Sequence, residues 1–203
     1  MTRIERLFNI VRDGLLPQSE CRRRSIAGVE IGYPHLKDRR SKTVVPCHPG
    51  GTLSDYVPFY FAPRSPMLFA ISSGQLGPEA AHTERIIYLV SSIQNLRTHG
   101  LSVVVSDRHP AMSFAKFTTN DVDLDRDDFV DWPLMGQRYW NSTPEEPDRK
   151  ERRQAECLVH PHVPWPLFDA VVTKTDEIAI AVHAVLASVD AHTAVAVRRD
   201  WYF

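Results

Sequence analysis

Residues 152–160, Arg152-Arg153-Gln154-Ala155-Glu156-Cys157-Leu158-Val159-His160 (RRQAECLVH), read as a β-strand with an acid in its middle. Side chains alternate across a strand, so Glu156, Leu158 and His160 share one face and Ala155, Cys157 and Val159 the other. Both faces are largely apolar, the pattern of a strand covered on both sides. A carboxylate there must be paired or have a chemical task, because burying an unpaired charge is costly. Pairing with Arg152 or Arg153 is one reading and a catalytic duty the other; the residues alone leave both open.

Flanking segments supply the scaffold. RIIYLVS (85–91) and LSVVVSD (101–107) read as buried strands, joined by a short helix in SSIQNLRTHG that stops at Gly100. AVVTKT (170–175) is a further strand, Asp176 caps a helix to about Val189, and AVAVRRDWYF closes the chain as a strand. Near the other end Thr2 and Glu5 have capping-box spacing, and Ile4, Leu7, Phe8 and Val11 form one apolar stripe. That pattern predicts a helix over about 3–13, stopped by Gly14. Residues 17–55, with the basic clusters CRRRS and KDRRSK, read as mostly irregular. DYVPFYFAPRSPMLFAI reads as short extended pieces around a turn fixed by Pro63 and Pro66. From Arg108 to Arg153 runs a polar excursion of roughly 45 residues between two core strands, and loops that long are usually functional or disordered. No internal repeat or domain linker breaks the chain, so one domain over residues 1–203 is expected. The elements lack regular βαβ alternation. That argues against a doubly wound parallel sheet and for a mixed α+β domain with a small split sheet.

Composition narrows the function classes. The 203 residues suffice for one sizeable core. A 43% apolar and 24% charged composition is ordinary for a globular chain, and a formal net charge of −1 implies no global attraction to nucleic acid, so any polyanion site is a local patch. No apolar run approaches the roughly 20 residues of a membrane span, and the N-terminus lacks the features of a signal peptide. Cys21, Cys47 and Cys157, an odd count without CxxC spacing, point to a reducing cytoplasm.

Several motifs fail on inspection. Asp121, Asp123 and Asp125 have the first spacing of a calcium loop, but Arg126 occupies its glycine position and Trp132 its bidentate acid position. The nine histidines form no zinc pattern, and no metal site is expected. HPGG (48–51) is too short for a phosphate loop and reads as a turn. Two features keep a functional reading beside a structural one. Arg64 lies between Pro63 and Ser65-Pro66, so its guanidinium can be aimed at a phosphate or carboxylate, or spent on a structural salt bridge. Tyr139 and Trp140 share a loop with DRKERR (148–153), as in single-stranded nucleic acid sites where rings stack bases and guanidiniums hold phosphates. Hydrophobic anchoring of the loop is the alternative.

VPFYFAPRSPML, SDRHPAM, RYWNSTPEEPDRKERRQAECLVH and the terminal WYF, in this order, resemble the DarT family of toxins that ADP-ribosylate single-stranded DNA. The resemblance covers nearly the whole chain and implies an ADP-ribosyltransferase fold with a split mixed sheet. It implies that Glu156 is the catalytic glutamate and Arg64 the essential arginine, and that NAD is the substrate. Residues 48–66, with His48, Arg64 and Ser65, would form the NAD-binding element, bordered by Thr2, Asn9 and Leu16. The loop from about 115 to 156 would present the DNA, with His109, Tyr139, Trp140, Arg149, Arg152 and Arg153 as contacts. A DarG-like antitoxin, whose macrodomain removes the ADP-ribose, would be the partner.

The implied chemistry gives Glu156 its task. Breaking the bond between nicotinamide and ribose passes through an oxocarbenium-like state, which one carboxylate can stabilise. The expected acceptor is a thymine base, with guanine as the alternative. Arg64 would hold the NAD diphosphate or orient the acceptor; a guanidinium stays protonated, so in the second role it would fix the deprotonated base electrostatically, with His109 as an alternative proton handler. Family members begin with a strand resembling H-x-T-H. Thr2 matches its threonine, Arg3 stands at the second histidine, and the first would precede Met1. That strand is therefore expected to be missing, which keeps open an inactive relative that only binds DNA or antitoxin.

Overall fold

A computed structural model describes residues 1–26, 34–76, 83–126 and 128–203. Its strands are β1 (Thr2–Arg3), β2 (Val57–Tyr60), β3 (Ile86–Val90), β4 (Ser102–Ser106), β5 (Phe117–Thr118), β6 (Glu156–His160), β7 (Ala170–Thr173) and β8 (Ala194–Val197). They divide into two sheets, ordered β1-β3-β7-β8 and β2-β6-β4-β5. All neighbours are antiparallel except β7 and β8. The helices are α1 (Leu7–Asp13), α2 (Gln18–Arg23), α3 (Pro34–Lys42), α4 (Pro66–Ser72), α5 (Ile93–Thr98), α6 (Asp121–Leu124), α7 (Trp132–Met135), α8 (Arg149–Arg152) and α9 (Asp176–Ser188). This is the split α+β architecture the sequence implies. Among the described residues it contains a single βαβ unit, β7-α9-β8, at one sheet edge.

The strand of Glu156 is central in its sheet. Its register sets Tyr60, on β2, opposite Glu156, and Val105 and Val104, on β4, opposite Cys157 and Leu158. The alternation sends each face into a different core. Ala155, Cys157 and Val159 join the larger one with Val57, Val103, Val105, Leu96, Val171 and Val182. Leu158 packs in a smaller one with Val45, Leu53, Tyr56, Val104 and Ala111. Fully burying a side chain of this size removes it from water for about 1.5–3 kcal/mol.

Several local readings are corrected. The Thr2/Glu5 capping box does not form. Thr2 is taken up by β1, which pairs with Ile86 and Ile87, and Ile4–Arg6 is a 3-10 turn before α1. An edge strand therefore does stand where a missing one was expected. The described residues of 17–55 are not mostly irregular, since α2, α3 and a 3-10 turn (Leu53–Asp55) occupy much of them; residues 27–33 of that stretch lie outside the described residues. The second half of APRSPMLFAI is helical. Ser65 caps it by accepting from Leu68 N (3.2 Å), and Pro66 takes the first-turn position where a missing N–H costs nothing. The cap of α9 is Thr175 rather than Asp176. After β8 the chain turns through a 3-10 segment, Arg199–Trp201, instead of continuing as strand. Among the described residues no helix is long and apolar enough to cross a membrane.

Candidate active site

Glu156 is the first residue of β6 and is 3% exposed. Its carboxylate is held by Arg40 of α3, whose Nη1 reaches Oε1 at 3.1 Å and Oε2 at 2.9 Å. Neither Arg152 nor Arg153 is its partner. The other terminal nitrogen of Arg40, Nη2, is buried and makes no hydrogen bond among the described residues. A buried cationic donor left unpaired beside a carboxylate is poised for an anionic or hydroxyl oxygen.

Glu156 and Arg40 open into a cavity of about 630 Å³. Two short helices build one wall by helical spacing. Gln18, Cys21 and Arg22 come from α2, and Leu36, Lys37 and Arg40 from α3. Tyr56, Pro58 and Tyr60 come from β2 and its approach, and His109 from the turn after β4. Arg6, Arg22, Lys37 and Arg40 are cations in this lining, and Glu156 is its carboxylate. Such a wall suits a ligand that is strongly anionic at one place and hydroxylated at another. Burial, with the Glu156 charge adding to it, raises the Tyr60 phenol above its ordinary range, so Tyr60 is neutral.

Burial also lowers His109, against the opposing pull of Glu156, so its imidazole is neutral near pH 7. Ala111 N–H donates to His109 Nδ1 at 3.1 Å. That leaves the single ring proton on Nε2. His109 is therefore a hydrogen-bond donor in this arrangement rather than a proton acceptor.

The sequence matches the family described as "ssDNA thymidine ADP-ribosyltransferase, DarT" over residues 1–203. The chain belongs to the DarT family. A DNA ADP-ribosyl transferase of Thermus sp. (strain 2.9) is 38% identical over 208 residues, covering all of this chain and 94% of the relative. One of Escherichia coli O127:H6 is 36% identical over 175 residues, covering 86% of this chain and 79% of the relative. The fold agrees with Thermus sp. 2.9 DarT in complex with ADP-ribosylated ssDNA at a TM-score of 0.89 and 37% identity, covering all of this chain and 93% of that one. It agrees with the same enzyme in complex with NAD+ at 0.84 and 34%, covering 100% and 94%. As a DarT protein this chain is an NAD-dependent DNA ADP-ribosyltransferase.

Set against the DarT resemblance, the expected residues separate into groups. Glu156, His109 and Leu16 line the cavity. Thr2 and Asn9 lie at a smaller hollow of about 100 Å³ that shares Arg6, Leu16 and Cys21 with it. Arg64, expected as the catalytic arginine, does not line this cavity. Its backbone is in the left-handed region (φ 56°), its Nη1 donates to the Tyr202 carbonyl, and its guanidinium lies 4.1 Å from the centre of the Phe203 ring. Ser65 is buried as the cap of α4, and His48 is exposed in the HPGG turn, outside the cavity.

The substrate-loop residues divide the same way. Tyr139 is 73% exposed. Trp140 is 4% exposed and donates its indole N–H to the Arg64 carbonyl at 2.8 Å, so it anchors the loop instead of offering a stacking face. Arg153 is buried, and its terminal nitrogens are bound to main-chain oxygens of Leu134 (2.6 Å), Met135 (2.7 Å) and Pro63 (2.7 Å), so it is turned into the protein and away from a surface phosphate. Arg152 is shared among Asp131, Glu146 and Asp148, and Arg149 bonds Glu146 and Gln137. Arg40 and Tyr60 are the site residues that sequence reasoning missed. Tyr60 lies in a stretch that reads as extended, but its register opposite Glu156 is seen only in the structure. Arg40 had only its place in a basic cluster.

Proposed function

We propose that this chain transfers ADP-ribose from NAD to a ring nitrogen of thymine in single-stranded DNA, and that it does so as the toxin of a pair with a DarG-like macrodomain antitoxin. The observation that carries the reading is the buried Glu156 carboxylate, paired with Arg40 at the floor of a cation-lined cavity. In the reaction the bond between the ribose carbon and nicotinamide breaks, and both its electrons leave with nicotinamide as a neutral molecule. The thymine nitrogen gives its electron pair to that carbon and loses its proton to water. Glu156 stabilises the positive charge that develops on the ribose and accepts a hydrogen bond from a ribose hydroxyl. Arg40 holds the diphosphate or the deprotonated base through its unpaired nitrogen. His109 donates its Nε2–H to the carbonyl beside the reacting nitrogen and so favours the deprotonated ring.

The testing experiment uses two single-stranded oligonucleotides, one with thymine and no guanine, the other the reverse. Each is incubated with NAD and weighed by mass spectrometry, beside a Glu156→Ala control. An adduct on the thymine strand alone, absent with the control, is the expected result. An adduct on the guanine strand overturns the acceptor, and one that survives in the control overturns the role of Glu156. Growth arrest on expression, relieved by the same substitution and by a co-expressed macrodomain antitoxin, tests the toxin reading.

Tyr139 is the ring that remains free to stack on a base. Stacking on an aromatic side chain contributes about 1–3 kcal/mol. Tyr139→Ala is therefore expected to raise the KM for the oligonucleotide about 10-fold while leaving the KM for NAD unchanged. Initial rates with each substrate varied in turn check this.

A further inference from the structure

We infer that Ser106 is a positioning residue that sets Glu156 and His109 in register with each other. The inference rests on the ADP-ribosyl transfer proposed above and adds to it a residue that touches no substrate. Ser106 ends β4, is fully buried, and does not line the cavity. The β4–β6 ladder runs only as far as Val105 opposite Cys157, so the next amide of β6, that of Glu156, lies beyond its last pair. The Ser106 hydroxyl receives it, accepting from Glu156 N at 3.1 Å. The same hydroxyl donates its own proton to the Arg108 carbonyl at 2.8 Å.

One oxygen thus joins the backbone of Glu156 to the residue immediately before His109. The turn it ties down is held on its other side. His109 N donates to the Glu151 carbonyl at 3.0 Å, and Asp107 accepts from Lys116 N at 2.8 Å and from Arg108 Nε at 2.9 Å. The two groups that face the reacting atoms, a carboxylate on one strand and an imidazole on the turn leaving its neighbour, have this hydroxyl as their common support. Without it, the Glu156 amide and the Arg108 carbonyl stay buried without a partner, and the strand end and the turn are free to separate. A misplacement of about 1 Å can cost on the order of 100-fold in rate without changing how a substrate binds elsewhere in its site.

The test compares Ser106→Thr with Ser106→Val. These two side chains have nearly the same shape and differ in the hydroxyl, so packing effects cancel between them. With NAD and the thymine oligonucleotide, Ser106→Val is expected to lose about 10- to 100-fold in kcat relative to Ser106→Thr, with the KM for NAD within about two-fold. Hydrogen exchange of the Glu156 amide is expected to be faster in Ser106→Val than in Ser106→Thr. Equal kcat in the two variants, or a loss confined to KM, overturns the inference. If the wild-type chain itself forms no adduct, the transfer reading has failed, and the exchange rate of the Glu156 amide then decides the role of Ser106 alone: equal rates overturn it.

Discussion

Glu156→Gln is expected to lower the rate of ADP-ribose transfer by about 100- to 1,000-fold while NAD still binds. Glutamine keeps the length and can still accept a hydrogen bond from a ribose hydroxyl, but it brings no negative charge to a centre where positive charge develops. Removing one preorganised electrostatic contact typically costs that much, about 3–4 kcal/mol of barrier. The substitution also leaves the Arg40 guanidinium beside a neutral amide. Breaking a buried ion pair by removing one partner costs about 3–5 kcal/mol where no water reaches the survivor. Here Arg40 remains 15% exposed and faces a cavity, so the loss falls below that range. Two measurements separate the effects. Single-turnover adduct formation reads the chemistry, and thermal unfolding reads the pair. The double variant Arg40→Met/Glu156→Gln is expected to recover stability and remain inactive. Retained activity in Glu156→Gln would end the catalytic reading.

Arg153→Met is expected to be strongly destabilising, at about 3–5 kcal/mol for the three acceptors it leaves without a donor. For a domain of this size that corresponds to a fall in Tm of about 6–20 °C. The cause is the number of groups one side chain satisfies. Its guanidinium donates to the carbonyls that end α7, at Leu134 and Met135, and to Pro63 in the turn before Arg64. Burial and the neighbouring Arg64 lower its affinity for a proton to about 10, still high enough for full charge near neutrality. Methionine fills much of the volume but leaves three buried carbonyls without a donor. Arg153→Lys recovers only part of the loss, since a single ammonium cannot span the fork. The affinity of the folded fraction for DNA should not change, because the guanidinium reaches no surface. Differential scanning calorimetry and oligonucleotide binding at low temperature check the two halves of this prediction.

The parts of the fold legible in the sequence were those carried by period. The alternation of RRQAECLVH assigned its faces correctly, and both strands of the RIIYLVS–LSVVVSD pair are present, because burial on a pleated strand follows a two-residue repeat. The family motifs supplied the chemistry proposed for Glu156. What was not legible depends on contacts far apart in the chain. Arg40 and Glu156 are 116 positions apart, and nothing in KDRRSK distinguishes Arg40 from Arg39. The flanking prolines of Arg64 imply a constrained backbone, and its φ of 56° agrees, but the residues that its guanidinium meets, Tyr202 and Phe203, lie far away at the end of the chain. For Trp140 and Arg153 the composition of the loop suggested a nucleic acid contact. Burial, which a loop sequence does not encode by any repeat, turned both inward.

The position of β6 bears on when a newly made chain acquires activity. It is the last of its sheet's four strands to be synthesised, yet it lies between β2 and β4. Among the described residues β2 has no other partner, so it waits unpaired through about 95 residues of further synthesis. Pairing so distant is slow, since the loop must close before any contact rewards it. The residue that opens this strand is Glu156 itself. Completion of the sheet and delivery of its carboxylate to Arg40 are therefore a single event, and a nascent chain that has not reached that point lacks the carboxylate of its cavity.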